Sequence, residues 1–286
     1  MSSEELTVTS EIYSELEGCL LRGVSEENII SYFKFTYPLD AVNGDLNGVE
    51  TDADGDLVVA RRKDSEKVLK IEHSTATPLR LVGLQVWRGA LLLADYVLHH
   101  EQALSQSTVL ELGSGVGLTS IVTSLVARHV ICTDVDLGGI LELIRANVEL
   151  NADLVQSPVT VTELDFYQEE WSEELTATMS RVDLVLAADV IYDNDLTEAF
   201  VKTLTKILST PPKKTVLVAL EKRFVFTIED LDVVAPCYEH FLSSVKKAWS
   251  RPPMSQWTME PLALDFPQYF QYDRTKHLVI WKITSS

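Results

Sequence analysis

From residue 85 to about residue 221 the chain alternates two hydrophobic rhythms. Short β-rich runs, Thr108–Leu112, His129–Thr133, Val159–Leu164, Val182–Ala188 and Thr215–Leu220, are separated by segments with the helical period. Val86–Leu98 is apolar at helical spacing. Leu118, Ile121, Val122, Leu125 and Val126 share one helical face. Ile140, Leu141, Ile144 and Val148 make a second, and Leu196, Phe200, Leu204, Ile207 and Leu208 a third, which Pro211–Pro212 stops. Val182–Ala188 is almost continuously apolar, as a strand covered on both faces must be. Such alternation predicts an α/β fold with a doubly wound, Rossmann-like parallel sheet and helices on both faces.

The ends of the chain read differently. Trp257–Leu264 and His277–Ile283 are strand-like, and Asp265–Arg274 joins them without a helical period, predicting a C-terminal antiparallel hairpin. Leu57–Ala60 and Val68–Ile71 flank the polar turn Arg62–Glu66 and predict a second hairpin. Ile29–Tyr37 is aromatic and reads as a docking strand or short helix. Asp40–Asp56 is rich in turn formers and reads as a linker. The expected division is an acidic, partly disordered leader over 1–56, a β-hairpin extension over 57–84 and a main domain over 85–286.

Composition narrows the function. The 286 residues carry 24 Lys and Arg against 43 Asp and Glu, a net charge of −19. Such a chain repels phosphate backbones, so direct nucleic-acid binding is not expected and a basic protein partner suits it better. Residues 1–56 alone hold 13 acids against Arg22 and Lys34. A solubilising tail and a partner-binding arm both fit that leader. Short apolar runs predict no membrane span, and the N-terminus lacks the pattern of a secretory signal. Cys19, Cys132 and Cys237 are scattered, so neither a disulfide framework nor a metal site is expected.

The candidate chemistry begins at Glu111-Leu112-Gly113-Ser114-Gly115-Val116-Gly117-Leu118, between a strand and a helix. Glycines let the backbone turn sharply and approach a ligand. The dinucleotide fingerprint would place its third glycine at Leu118, and no Lys-Ser/Thr follows as in a phosphate-binding loop. Glu111 would repel a pyrophosphate but suits a ligand bearing an amine or other cation. Asp134 ends the next strand, where a carboxylate can accept ribose hydroxyls. Asp136 is the near alternative, and a helix N-cap the plain one.

This combination resembles the S-adenosylmethionine (SAM) enzymes of the seven-strand fold. The resemblance implies that Glu111 lies near the amino-acid part of SAM, with Gly113, Ser114, Gly115 and Gly117 giving the cofactor room and Asp134 on the ribose. It further implies an adenine pocket at Asp165 and Phe166. Ala188-Asp189-Val190-Ile191-Tyr192 follows the fourth parallel strand, with Trp87 opening the helix before the glycine strand. Asp-x-x-Tyr at that place is similar to the protein-lysine methyltransferases of the methyltransferase-like group. So are Val86–Val97, Arg145–Asn151, Ala187–Thr197 and Leu220–Thr227, and the similarity runs from about 57 to 283. What it implies is methyl transfer to a lysine ε-amino group, with Asp189 and Tyr192 catalytic and Trp87 and Ala188 beside the cofactor. A protein substrate, a monomer and residence in nucleus or cytoplasm are implied too. Amide N-methyltransferases of this fold carry prolines where Val190 and Ile191 stand, so an aliphatic amine fits better than a planar amide. Glu221-Lys222-Arg223 is a weaker candidate for the same cleft. A small-molecule methyltransferase and a non-catalytic binding module remain the alternatives.

Overall fold

A computed structural model describes residues 7–15, 22–23, 28–37, 65–227, 232–250, 252 and 254–285. Leu57–Ala60 and the Asp40–Asp56 linker lie outside the described residues.

The main sheet uses every strand expected from the pattern. In chain order the elements are β1 (Asn28–Tyr37), β2 (Ser65–Ser74), α1 (Arg88–His99), β3 (Thr108–Leu112), α2 (Leu118–Thr123), β4 (His129–Asp134) and α3 (Ile140–Leu150). There follow β5 (Val159–Glu163), α4 (Glu173–Met179), β6 (Leu184–Ala188), α5 (Asn194–Ser209), β7 (Thr215–Glu221), α6 (Pro236–Ala248), β8 (Thr258–Pro261) and β9 (Leu278–Thr284). The seven-stranded sheet runs β8-β9-β7-β6-β3-β4-β5. Strands β5, β4, β3, β6 and β7 pair in parallel, and the C-terminal hairpin enters with β9 antiparallel between β7 and β8.

Alternation of side chains across the central strands explains their unbroken apolar runs. Leu184, Leu186, Leu217 and Ala219 face one core, with α1 and α2. Val185, Ala187, Val216, Val218 and Leu220 face the other, with α4, α5 and α6. Leu79–His99 is apolar enough by composition to cross a membrane, but it is not one helix. A 3-10 turn over Leu79–Leu84 gives way to extended backbone at Gln85 and Trp87, and α1 is a core helix with Leu91–Ala94 fully buried.

The strand expected over Val68–Ile71 has its described partner in the leader. Val68–Ile71 lies in β2, and β2 pairs along its whole length with β1, within the segment read as leader. Phe33 and Phe35 of β1 and Leu69 and Ile71 of β2 enter the core beside α1. Two asparagines of the α3 end then cover β2. Asn147 and Asn151 each accept one backbone N–H and donate to the carbonyl of the same residue, Glu72 (2.7 and 2.9 Å) and Lys70 (2.9 and 2.6 Å). The amides complete a ladder that a free edge would leave open. Thr7–Val8 pairs with Thr77–Pro78, and Gln85 fastens this belt by bonding Val8, Ser10 and Thr77.

Candidate active site

Strand order reverses between β3 and β6, and at their carboxyl ends lies a cavity of about 640 Å³. That is where open α/β sheets bind ligands, and the size suits a nucleoside-bearing one. Trp87, Glu111, Gly113, Ser114, Gly115, Asp134, Asp165, Phe166, Ala188, Asp189 and Tyr192 all line it. Sequence reasoning had therefore gathered nearly all of its candidates on one wall. Gly117 is the exception. It is the left-handed cap of α2 (φ 83°), and a Cβ there would stand 3.1 Å from Ile144 Cγ2, so its task is the turn and the packing of α3. Asp136 is exposed and does not line the cavity, whereas Asp134 does.

The other two glycines make the floor. Gly113 and Gly115 have φ of 64° and 55°. A Cβ on Gly113 would meet Val190 Cγ1 at 2.7 Å, and one on Gly115 would meet the Gly83 carbonyl oxygen at 2.9 Å. Ser114 turns its hydroxyl to β4, donating to the Thr133 carbonyl and accepting its N–H, both at 3.1 Å. Its side chain stitches the loop down, and cofactor contact there falls to the backbone.

Two carboxylates give the floor its electrostatics. Glu111 is buried, and Ser120 donates its hydroxyl to Oε2. Burial pushes its pKa up to about 7, the charge of Asp134 adding to the rise and the Ser120, Thr119 and Ser114 hydrogen bonds opposing it. Asp134 accepts Gly115 N–H on one oxygen and Val135 N–H on the other, each at 2.8 Å. Burial pushes it up to about 6 against those two bonds. Helix α3 starts from Gly139 with no side-chain cap, so Asp134 is no N-cap. Each oxygen keeps a second acceptor direction toward the cavity.

At the other end Asp189 sits in the left-handed region (φ 53°), one of the few residue types that tolerate it. Its carboxylate accepts Gly89 N–H at 2.7 Å and Glu221 N–H at 3.0 Å. Burial raises its pKa; the Arg223 charge and the two N–H bonds pull the other way. Tyr192 is pushed up to about 12, by burial first and then by Asp134, Asp193 and Tyr167, so its hydroxyl stays neutral. Trp87 donates its indole N–H to Val82 O (2.9 Å), and Arg223 lies 4.6 Å from its ring centroid. Phe166 packs on Phe200 at 5.4 Å and stands near Gly113, as an adenine wall would.

The pattern missed the roof. Leu79–Val86, of which 79–84 was read as the end of a hairpin extension, lines the cavity beside the glycine loop. Its signal was Gly83 in an apolar run just before α1: a Cβ there would stand 2.8 Å from Ile140 Cδ1, and the Gly83 carbonyl is the group that a side chain on Gly115 would strike.

A seven-strand, Rossmann-like sheet with a glycine loop, a buried Glu111 and a half-buried Asp134 at its switch point defines the methyltransferase type of α/β protein. Residues 63–247 match the family model described as lysine methyltransferase, and this chain belongs to that family. Mouse methyltransferase-like protein 22 is 41% identical over 249 residues, covering 80% of this chain and 62% of that protein; its human counterpart is 38% identical, covering 76% and 57%. The chain thus spans about three fifths of the length of these relatives. Mouse protein-lysine N-methyltransferase EEF2KMT is 35% identical over 49% of this chain and 42% of its own. Among solved structures, magnesium protoporphyrin IX methyltransferase from Synechocystis PCC 6803 overlays with a TM-score of 0.45 at 14% identity, covering 70% of this chain and 84% of that one.

Proposed function

We propose that this chain transfers a methyl group from SAM to the ε-amino group of a lysine in a protein substrate. The observation that carries the reading is that Glu111, Asp134, Asp189 and Tyr192 line one cavity. The residues fit the cofactor. Glu111 offers a buried anion to its ammonium, Asp134 offers acceptors to the ribose, and Gly113 and Gly115 leave a cradle that side chains would close. Phe166 supplies an apolar wall.

When bound, SAM supplies a methyl already activated by a sulfonium, so the protein's share is positioning. The lysine must arrive with its lone pair free. Its unperturbed pKa is about 10.4, and the apolar surroundings of Val190, Tyr192 and Trp87 favour the neutral amine. Asp189 then holds the amine by a remaining acceptor direction of its carboxylate, and Tyr192 walls the aliphatic stem. Asp189 would then take up the proton that the methylated nitrogen sheds, or pass it to solvent. The net charge of −19 favours a basic substrate.

The test is incubation of the purified chain with tritiated SAM and a cell extract, beside Asp189→Ala. A discrete labelled protein band that the variant loses while still binding SAM supports the reading. No labelled protein despite SAM binding removes the protein substrate.

A further inference from the structure

Asp189 is held by two backbone donors that belong to different elements. Gly89 N–H lies in the first turn of α1, where helical N–H groups lack internal partners and the helix dipole favours an anion. Glu221 N–H lies at the end of β7. One side chain spans the two. Arg88, next to Gly89, places Nη1 at 3.0 and 2.9 Å from the two carboxylate oxygens of Glu221. Its Nε and Nη2 both reach Oε1 of Glu15, Nε at 2.9 Å. Glu15 accepts the N–H of Asp273 on its other oxygen (2.8 Å), and Thr275 donates its hydroxyl to Glu221 (3.0 Å). The Arg88, Glu15 and Glu221 side chains are only 12%, 19% and 13% exposed.

We infer that Arg88 is a positioning residue for Asp189, and that Glu15 makes the N-terminal belt part of the acceptor end of the site. The distances at Asp189 depend on the separation of α1 from β7, and Arg88 sets that separation with a fork that Lys cannot reproduce. Stability alone is a poor account of the cluster. Burying an arginine and two carboxylates forfeits hydration about as large as the attraction gained. What the cluster does supply is geometry, because its ring of bonds closes through five chain segments around the two donors.

The inference rests on Asp189 facing the acceptor, as in the reading above, but its first readout does not. Amide hydrogen exchange of the full chain, followed by NMR, reports whether Gly89 and Glu221 keep their bonds to Asp189. In Arg88→Met those two amides exchange about tenfold faster or more, while Leu110 and Leu186 of the central strands hold their rates. In the transfer assay kcat falls about tenfold while SAM affinity stays within about threefold, and Arg88→Lys recovers only part of the loss. Glu15→Gln, which keeps shape and removes charge, gives the same local pattern at roughly a third of the size. It decides the matter if Arg88→Met loosens the whole fold. Unchanged exchange at Gly89 and Glu221 in these variants overturns the inference, and so does a loss of SAM affinity that matches the loss of kcat. If the unmutated chain transfers no methyl group, the proposed function fails, and the exchange rates alone still decide the role of Arg88.

Discussion

The floor end of the cavity is built on Glu111–Asp134, one strand-turn-helix-strand unit, whereas the Asp189 end gathers Asp189, Gly89, Glu221, Arg88 and Glu15 from separate parts of the chain. At the first end the turn forces the chemistry into place. Gly113 and Gly115 bend the backbone, Asp134 caps the loop it faces, and Glu111 is buried because its strand is central. At the second end nothing local fixes the geometry, and side chains from distant segments supply it. Substitutions at the first end should therefore act on SAM binding, and those at the second on turnover.

The largest expected effect is at the glycine loop. In Gly115→Val the new side chain meets the Gly83 carbonyl in a left-handed backbone. Strain and clash together remove about 3 kcal/mol or more of stability in urea titration, and SAM affinity falls more than about a hundredfold. Next is Asp134→Ala, which leaves the Gly115 and Val135 N–H groups without their acceptor and removes the ribose contact. By calorimetric titration SAM binds about ten- to a hundredfold more weakly.

A pH series sharpens the same contrast. Folding raises the pKa of Glu111 to about 7 and of Asp134 to about 6. The folded chain therefore keeps protons that the unfolded chain has released, and this contribution to stability declines as pH rises from about 4 through about 7. A cationic ligand reverses the preference by pairing with ionised Glu111. SAM affinity rises roughly eightfold between about pH 6 and about pH 7.5, with roughly half a proton released on binding near pH 7. Buffers of different ionisation enthalpy measure that release, and Glu111→Gln abolishes it. The smallest effect is at the acceptor end. Tyr192→Phe keeps the wall and loses only a hydroxyl that stays neutral, so SAM affinity and turnover both hold within about threefold, whereas Tyr192→Ala raises KM for the protein substrate.

The same contrast accounts for what the sequence revealed. The central strands β3, β4, β6 and β7 were visible because both their faces are buried, and the floor of the site was visible because Glu111, the glycines and Asp134 sit at fixed offsets from strand ends. Helix α6 was not read, although Pro236 at its start and Phe241, Val245 and Trp249 at spacings of four mark it; most of its other positions are polar, which narrows the apolar stripe. The pairing of β1 with β2 was not legible either: Ile29–Tyr37 read as a docking strand or short helix, and only the fold shows Phe33 and Phe35 buried with Leu69 and Ile71. The Arg88 cluster left no local signal, because a charged residue in the first turn of a helix reads as solvated until its distant partners are known.

The central claim is that the cavity binds SAM through its buried acids. Titration calorimetry of SAM into the full chain at about pH 7.5, beside Asp134→Ala and Glu111→Gln, tests it most directly. The account predicts saturable one-to-one binding, weakened at least about tenfold in each variant while Asp189→Ala binds as the unmutated chain does. No binding by the unmutated chain, or equal affinity in all four proteins, would contradict it.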